Sequence, residues 1–151
     1  MNKKMKIAGI VNFAAMGLAV LCLGFILLDI AVLKLFQHRL QGWDGVGVAL
    51  LFALSATIEY PATIVNAVFQ GINGGMQLSY PKRGKGVHKA LRVIAWIVGV
   101  AAAGIHGFFA ITYFTTGFVL WGVVTALITL AAIAAPLLTS IANNECESIQ
   151  K

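Results

Sequence analysis

Charge is the scarcest property of this chain. Only 11% of its 151 residues are Asp, Glu, Lys or Arg, against about 25% in a soluble domain. Hydrophobic residues make up 60%, more apolar surface than a soluble core of this length can hide, so an ordinary water-soluble globule is excluded. The two cysteines, Cys22 and Cys146, are too few and too far apart for a disulfide framework or a zinc site, and both read as free thiols. No serine has an aligned base, and there are no paired carboxylates and no metal-ligand cluster, so neither a catalytic residue nor a metal is expected and the chain does not read as an enzyme. Gly84-Lys85-Gly86 is not a phosphate-binding loop, since no Ser or Thr follows the lysine and no strand precedes it. No cofactor is expected either: haem held between helices needs a second histidine inside the membrane, and His38 and His88 fall outside the apolar stretches.

What the chain does have is four long apolar stretches, roughly 7–33, 46–69, 93–114 and 118–141. Each meets or exceeds the ~20 residues needed to cross a ~30 Å hydrocarbon core. The pattern predicts an all-α integral membrane four-helix bundle, a single domain over residues 1–151. A lysine-rich start leads into the first stretch, which is too long for the apolar region of a signal peptide and reads as an uncleaved anchor.

Lys3, Lys4 and Lys6 precede the first helix, and Lys82, Arg83, Lys85, Lys89 and Arg92 fill the connection between the second and third, taken as 71–90. The opposite side has only Lys34 and Arg39. Positive-inside bias then predicts an N-in/C-in protein of the plasma or inner membrane, two antiparallel hairpins joined by a basic cytoplasmic loop. The net charge of +6 is thereby explained without nucleic acid, and the same basic residues can contact anionic lipid headgroups or an acidic partner. Trp43, Tyr113 and Trp121 are expected at the outer interface and Tyr80 and Trp96 at the inner one. Thr115 or Thr116 can cap the fourth helix.

The second stretch carries the most specific signal. Ser55, Glu59, Thr63, Asn66 and Gln70 recur every three or four residues and share one helix face. Glu59 lies near mid-span, where an ionisable side chain costs about 3 kcal/mol, against about −3 to −6 kcal/mol from the apolar residues of the same span. The helix inserts with little margin, and the group must face protein or water rather than lipid. Pro61 removes the amide that would bond the Thr57 carbonyl. A bare carbonyl beside a carboxyl group can hold a proton, cation or water, or the kink can be satisfied by neighbouring helices.

His106, in the third stretch, is expected about one helical turn of 5.4 Å to the outer side of Glu59, as a relay partner or as a hydrogen-bonded lock. Ala95, Gly99, Ala103 and Gly107 form a small-residue ridge along that helix, suited to close contact within the chain or with another protomer. In the fourth stretch Thr125 and Thr129 lie one turn apart as helix glue, and Pro136 frees the Ala132 carbonyl.

Two functions follow. The first is a non-enzymatic, helix-packing subunit of a larger membrane assembly, homo- or hetero-oligomeric, whose partners are the lipid bilayer and other membrane subunits or further copies of itself. The alternative is a small proton- or cation-coupled channel or transporter using Glu59, with Ser55, Thr63, Asn66 and His106 around it.

The orientation is checked with single cysteines in a background lacking Cys22 and Cys146. Positions 43 and 117 should react with an impermeant thiol reagent outside sealed cells and position 86 should not. Labelling at position 86 would reverse the topology.

Overall fold

A computed structural model of the chain describes residues 3–36, 43–79 and 85–149, with side-chain environments over 3–24, 45–79, 89–90 and 92–144. Helix α1 covers Lys3–Phe36. The second crossing is one continuous rod of three parts: α2 (Trp43–Leu54), a single π-helical turn (Ser55–Glu59) and α3 (Tyr60–Leu78). Helices α4 (Lys85–Thr115) and α5 (Val119–Ile149) complete the chain. All the described regular structure is helical, and four helical segments are long and apolar enough to cross a membrane: Lys3–Gly24, Gly45–Leu78, Arg92–Thr115 and Val119–Asn144. The protein is therefore all-α, with four candidate spans.

Packing runs around a ring. Helix α1 lies against α3 and α5, and α4 against α5 and α3, with α3 and α5 nearly apart across the diagonal. The distribution of residues is that of a membrane protein. Leu21, Ile97, Phe108, Ile111 and Leu130 point outward and are more than 60% exposed, while Asn12, Glu59, Asn66, His106 and Asn143 are almost wholly buried. Bulky apolar side chains on the outside of every span would be an aggregation hazard in water and are the normal surface in lipid.

The helix ends differ from those read off the hydropathy. The second crossing ends at Leu78 rather than near residue 69, and the supposed loop over 71–90 shrinks to the few residues between Leu78 and Lys85. Gly71, Gly74 and Gly75 looked like loop residues. Two of them are instead contact points: a Cβ on Gly74 would lie 3.1 Å from the Phe13 ring and 3.2 Å from the Gly9 carbonyl oxygen, so α1 and α3 approach closely because both lack side chains there. Lys85, Lys89 and Arg92 accordingly ride on the first turns of α4 instead of in a loop, and Lys82 and Arg83 lie outside the described residues. Arg92 donates from Nη1 to Asn144 Oδ1 at 2.7 Å, and the Trp96 indole donates to Ser140 Oγ at 2.7 Å. These bonds fasten α4 to α5 at the lysine-bearing end.

At the other end α4 stops on Gly117, whose φ of 84° suits glycine. The Phe118 amide donates to the Tyr113 carbonyl at 2.8 Å and the Gly117 amide to that of Phe114 at 3.3 Å, a Schellman ending that satisfies two free carbonyls. Thr115 and Thr116 do not cap α5 as expected. Their hydroxyls donate backward to the Thr112 carbonyl at 2.9 and 2.7 Å, so both serve the end of α4.

The ridge on α4 meets α5 within the same chain. Pro136 sits inside α5 and leaves the Ala132 carbonyl without its usual amide partner. That oxygen and the proline ring fill the space beside Gly99, where a Cβ would come within 2.6 Å of Ala132 O and 2.9 Å of Pro136 Cγ. At Gly107 the nearest atom to a Cβ would be Thr129 Cγ2 at 3.8 Å, an ordinary contact. Gly99→Ala should therefore destabilise the detergent-solubilised protein by about 1–3 kcal/mol, the usual cost of overpacking, and Gly107→Ala should change little. Unfolding curves showing equal loss at the two positions would refute the contact.

Candidate functional site

The local backbone around Glu59 is set by Pro61. A proline ring collides with the carbonyl four residues before it and offers no amide. The helix widens by one residue ahead of it: the Tyr60 amide bonds to Ser55 O, five residues back, closing the π turn. Such turns often mark functional positions in helices. Ser55 and Glu59 bound this turn, and both are buried.

The Glu59 carboxyl gathers donors from three parts of the bundle. Ser55 Oγ donates to Oε2 at 2.6 Å from the same helix, Tyr113 OH reaches Oε2 at 3.0 Å from α4, and Thr125 Oγ1 donates to Oε1 at 3.1 Å from α5. Tyr113 OH is also 2.7 Å from Ser55 Oγ, so its single proton is shared between the two oxygens. His106 Nδ1 stands 3.6 Å from Oε1, just beyond hydrogen-bonding range. The side-chain atoms are thus close, although the sequence placed the histidine a full turn away.

Thr63 and Asn66 share the buried face but turn elsewhere. The Thr63 hydroxyl donates to the Glu59 backbone carbonyl at 2.8 Å, and Asn66 Oδ1 accepts from Gln70 Nε2 at 3.3 Å. The first-identified constellation therefore separates into Ser55, Glu59 and His106 at the centre, with Thr63 and Asn66 one and two turns along.

Tyr113 was expected at the outer interface. It is instead 1% exposed, with its hydroxyl in the site. The signal available was its spacing of seven from His106, two turns along one face. Thr125, read as helix glue, supplies a direct bond to the carboxyl. A cavity of about 10 Å³, room for one water molecule, adjoins Glu59 between Cys22, Tyr60, Tyr113, Trp121 and Thr125.

The polar face continues past the residues read from the sequence. Asn73 and Gln77 extend it to the end of α3, both buried. Asn73 Nδ2 donates to Asn12 Oδ1 at 2.9 Å and lies 3.1 Å from Thr139 Oγ1, to which Asn12 Nδ2 also donates at 3.1 Å. This node ties α1, α3 and α5 together. Several buried atoms nevertheless have no hydrogen-bond partner among the described residues, among them both nitrogens of His106, Gln70 Oε1, Asn73 Oδ1, Gln77 Oε1 and Asn143 Oδ1. Each bare atom costs about 1–3 kcal/mol, a sum comparable with the whole ~5–15 kcal/mol stability of a domain.

Among the described residues no three His, Cys, Asp or Glu side chains come together as a metal site. His88 falls on α4, with its side chain outside the described set, and His38 lies outside the described residues. Fold and site together define a multi-pass membrane protein with a buried, hydroxyl-ringed carboxyl group. Compared with models of protein families, with curated proteins and with solved structures, the chain matches none.

Tyr113→Phe keeps the ring and removes one donor to the site. It should destabilise the protein by about 1–2 kcal/mol, the cost of leaving a buried partner bare. Phe109→Leu, an apolar change beside it, leaves every polar bond intact. If Tyr113→Phe unfolds at the wild-type midpoint in detergent, the hydroxyl is not bonded as described.

Proposed function

We propose that the protein is a small, non-enzymatic proton- or cation-coupled channel or transporter whose working group is the Glu59 carboxyl. The observation that carries this reading is the imidazole of His106, 0% exposed, with Nδ1 3.6 Å from the carboxyl, within ion-pair reach but without a hydrogen bond. A pure structural lock would close that distance to a hydrogen bond. A histidine held close but unbonded is positioned to accept or return a proton when the Glu59 side chain shifts slightly. The hydroxyls of Ser55, Tyr113 and Thr125 support the same role, because each can donate to an ionised carboxylate or accept from a protonated one.

The small-residue ridge, which had favoured an assembly subunit, is engaged within the chain at Gly99. The subunit reading keeps one supporting observation: Gly17, Gly24 and Gly104 have nothing within 4 Å of an added Cβ, which leaves α1 and α4 able to accept a close helix from another subunit or a second copy. Positive-inside bias supports a cytoplasmic position for the end bearing Lys3, Lys4, Lys6, Lys89 and Arg92, near anionic headgroups.

Glu59→Gln keeps size and most bonding but cannot ionise. In reconstituted vesicles the wild type should dissipate an imposed pH gradient, and Glu59→Gln should slow this at least tenfold while remaining folded. Equal rates, or no flux in the wild type, would remove the transport reading.

A further inference from the structure

The interior of the bundle is asymmetric about Glu59. On one side it is lined mainly by aromatic and apolar side chains, with the small cavity beside Glu59 among them. Leu51, Phe109 and Tyr113 form a buried cluster against which Ile105, Phe118 and Trp121 pack, and Phe52 joins it with its ring centroid 5.3 Å from that of Phe118. None of these side chains carries an unpaired polar atom among the described residues.

On the other side, towards the exposed Lys3, Lys4 and Lys6, the polar face continues through Thr63, Asn66, Gln70, Asn73 and Gln77. From Glu59 to Gln77 is ~27 Å along the axis at 1.5 Å per residue. Three of the four orphaned amide oxygens lie on this face, at Gln70, Asn73 and Gln77, and the fourth is Asn143 on α5. Helices α3 and α5 run in the same direction, and Asn73 meets Thr139 at 3.1 Å. Gln77 and Asn143 each follow four residues later, so they stand at one level nearer the end of the bundle. Beyond them Ser79 is half-buried and Asn144 is exposed, while Met5, Ala8 and Ala142 form a buried apolar cluster between α1 and α5 at the same end.

We infer that this half of the bundle binds a chain of water molecules, entering between Gln77 and Asn143 and ending at His106 and Glu59. Buried water typically makes about three hydrogen bonds to groups that protein atoms leave unsatisfied, and polar side chains inside a membrane face either protein or a water-filled cavity. The orphaned atoms of His106, Gln70, Asn73, Gln77 and Asn143 are such groups, four of them on the lysine-bearing side of Glu59. Carboxamides suit it because each can donate and accept. The Asn12–Asn73–Thr139 node would be its narrowest point, since there the side chains bond one another directly. The inference deepens the Glu59 reading and rests on it for the purpose of the route: a proton would reach Glu59 from the lysine-bearing end, the single-water cavity beside Tyr113 and Trp121 lying on the other side of the carboxyl.

Water contact is measured on the full chain in phosphatidylcholine vesicles by solid-state NMR with magnetisation transferred from water. The side-chain signals of Gln70, Asn73, Gln77, Asn143 and His106 should build up at least threefold faster than the ring signals of Phe52 and Phe118. Build-up no faster than for those rings would overturn the inference. Gln77→Leu should lower transfer to His106 at least threefold, whereas Gln77→Asn should retain it. Unchanged transfer in a folded Gln77→Leu protein would also overturn it, because water would then enter elsewhere. A hydrated stripe without wild-type proton flux would support the water chain while ending the transport reading, and a dry stripe with Glu59-dependent flux would do the reverse.

Discussion

A carboxyl group halfway along a membrane-spanning helix cannot be left to hydrocarbon, and much of this bundle is arranged around that constraint. Glu59 draws Ser55 from its own turn, Tyr113 from α4 and Thr125 from α5. These bonds fix how α4 and α5 are rotated about their axes, because a turn of either would carry its hydroxyl away from the carboxyl. The Asn12–Asn73–Thr139 node does the same for α1 and α5 against α3. With lipid as apolar as leucine, hydrophobicity alone gives the helices no reason to choose these faces. Polar contacts select the faces, and small residues let the helices close on them.

The two membrane prolines act at different points of this scheme. Pro61 lies just past the π turn, which has Ser55 and Glu59 at its two ends. Pro136 exposes the Ala132 carbonyl, and that carbonyl occupies the side-chain space missing at Gly99. At Pro61 the helix adjusts through a longer hydrogen-bond pattern, and at Pro136 the freed carbonyl packs against Gly99. Helix continuity is kept in each crossing, so the prolines shape the interior without breaking a span.

The number of spans and the central place of Glu59 were legible in the sequence because both rest on local signals: run length for the one, and the three-and-four spacing of polar residues for the other. The ends of the helices were not. Gly71, Gly74 and Gly75 lower helix propensity and resemble a loop until α1 is seen lying on them. Reading them as a loop also hid Asn73 and Gln77, which continue the same polar face. Tyr113 was assigned to an interface by residue type, although its hydroxyl lies inside the bundle. Which way an aromatic side chain faces depends on the helix beside it, and sequence spacing becomes informative only once a partner face such as that of His106 is chosen. The basic residues at 82 and 83 lie outside the described residues, so their contact with headgroups rests on charge pattern alone.

The partners of Glu59 also bear on what the site can do. A lysine or arginine beside the carboxyl would hold it in one charge state and make a static brace. Hydroxyl groups impose no such choice, because rotation about a C–O bond turns a donor into an acceptor with the oxygen positions nearly unchanged. The O···O distances of 2.6–3.1 Å around Glu59 therefore fit either the ionised or the protonated acid. His106 adds the one neighbour that can itself exchange a proton, and it is left unbonded at 3.6 Å. Stability alone would favour closing that gap. In this fully buried position the imidazole stays within ion-pair reach of the carboxyl without a hydrogen bond to it.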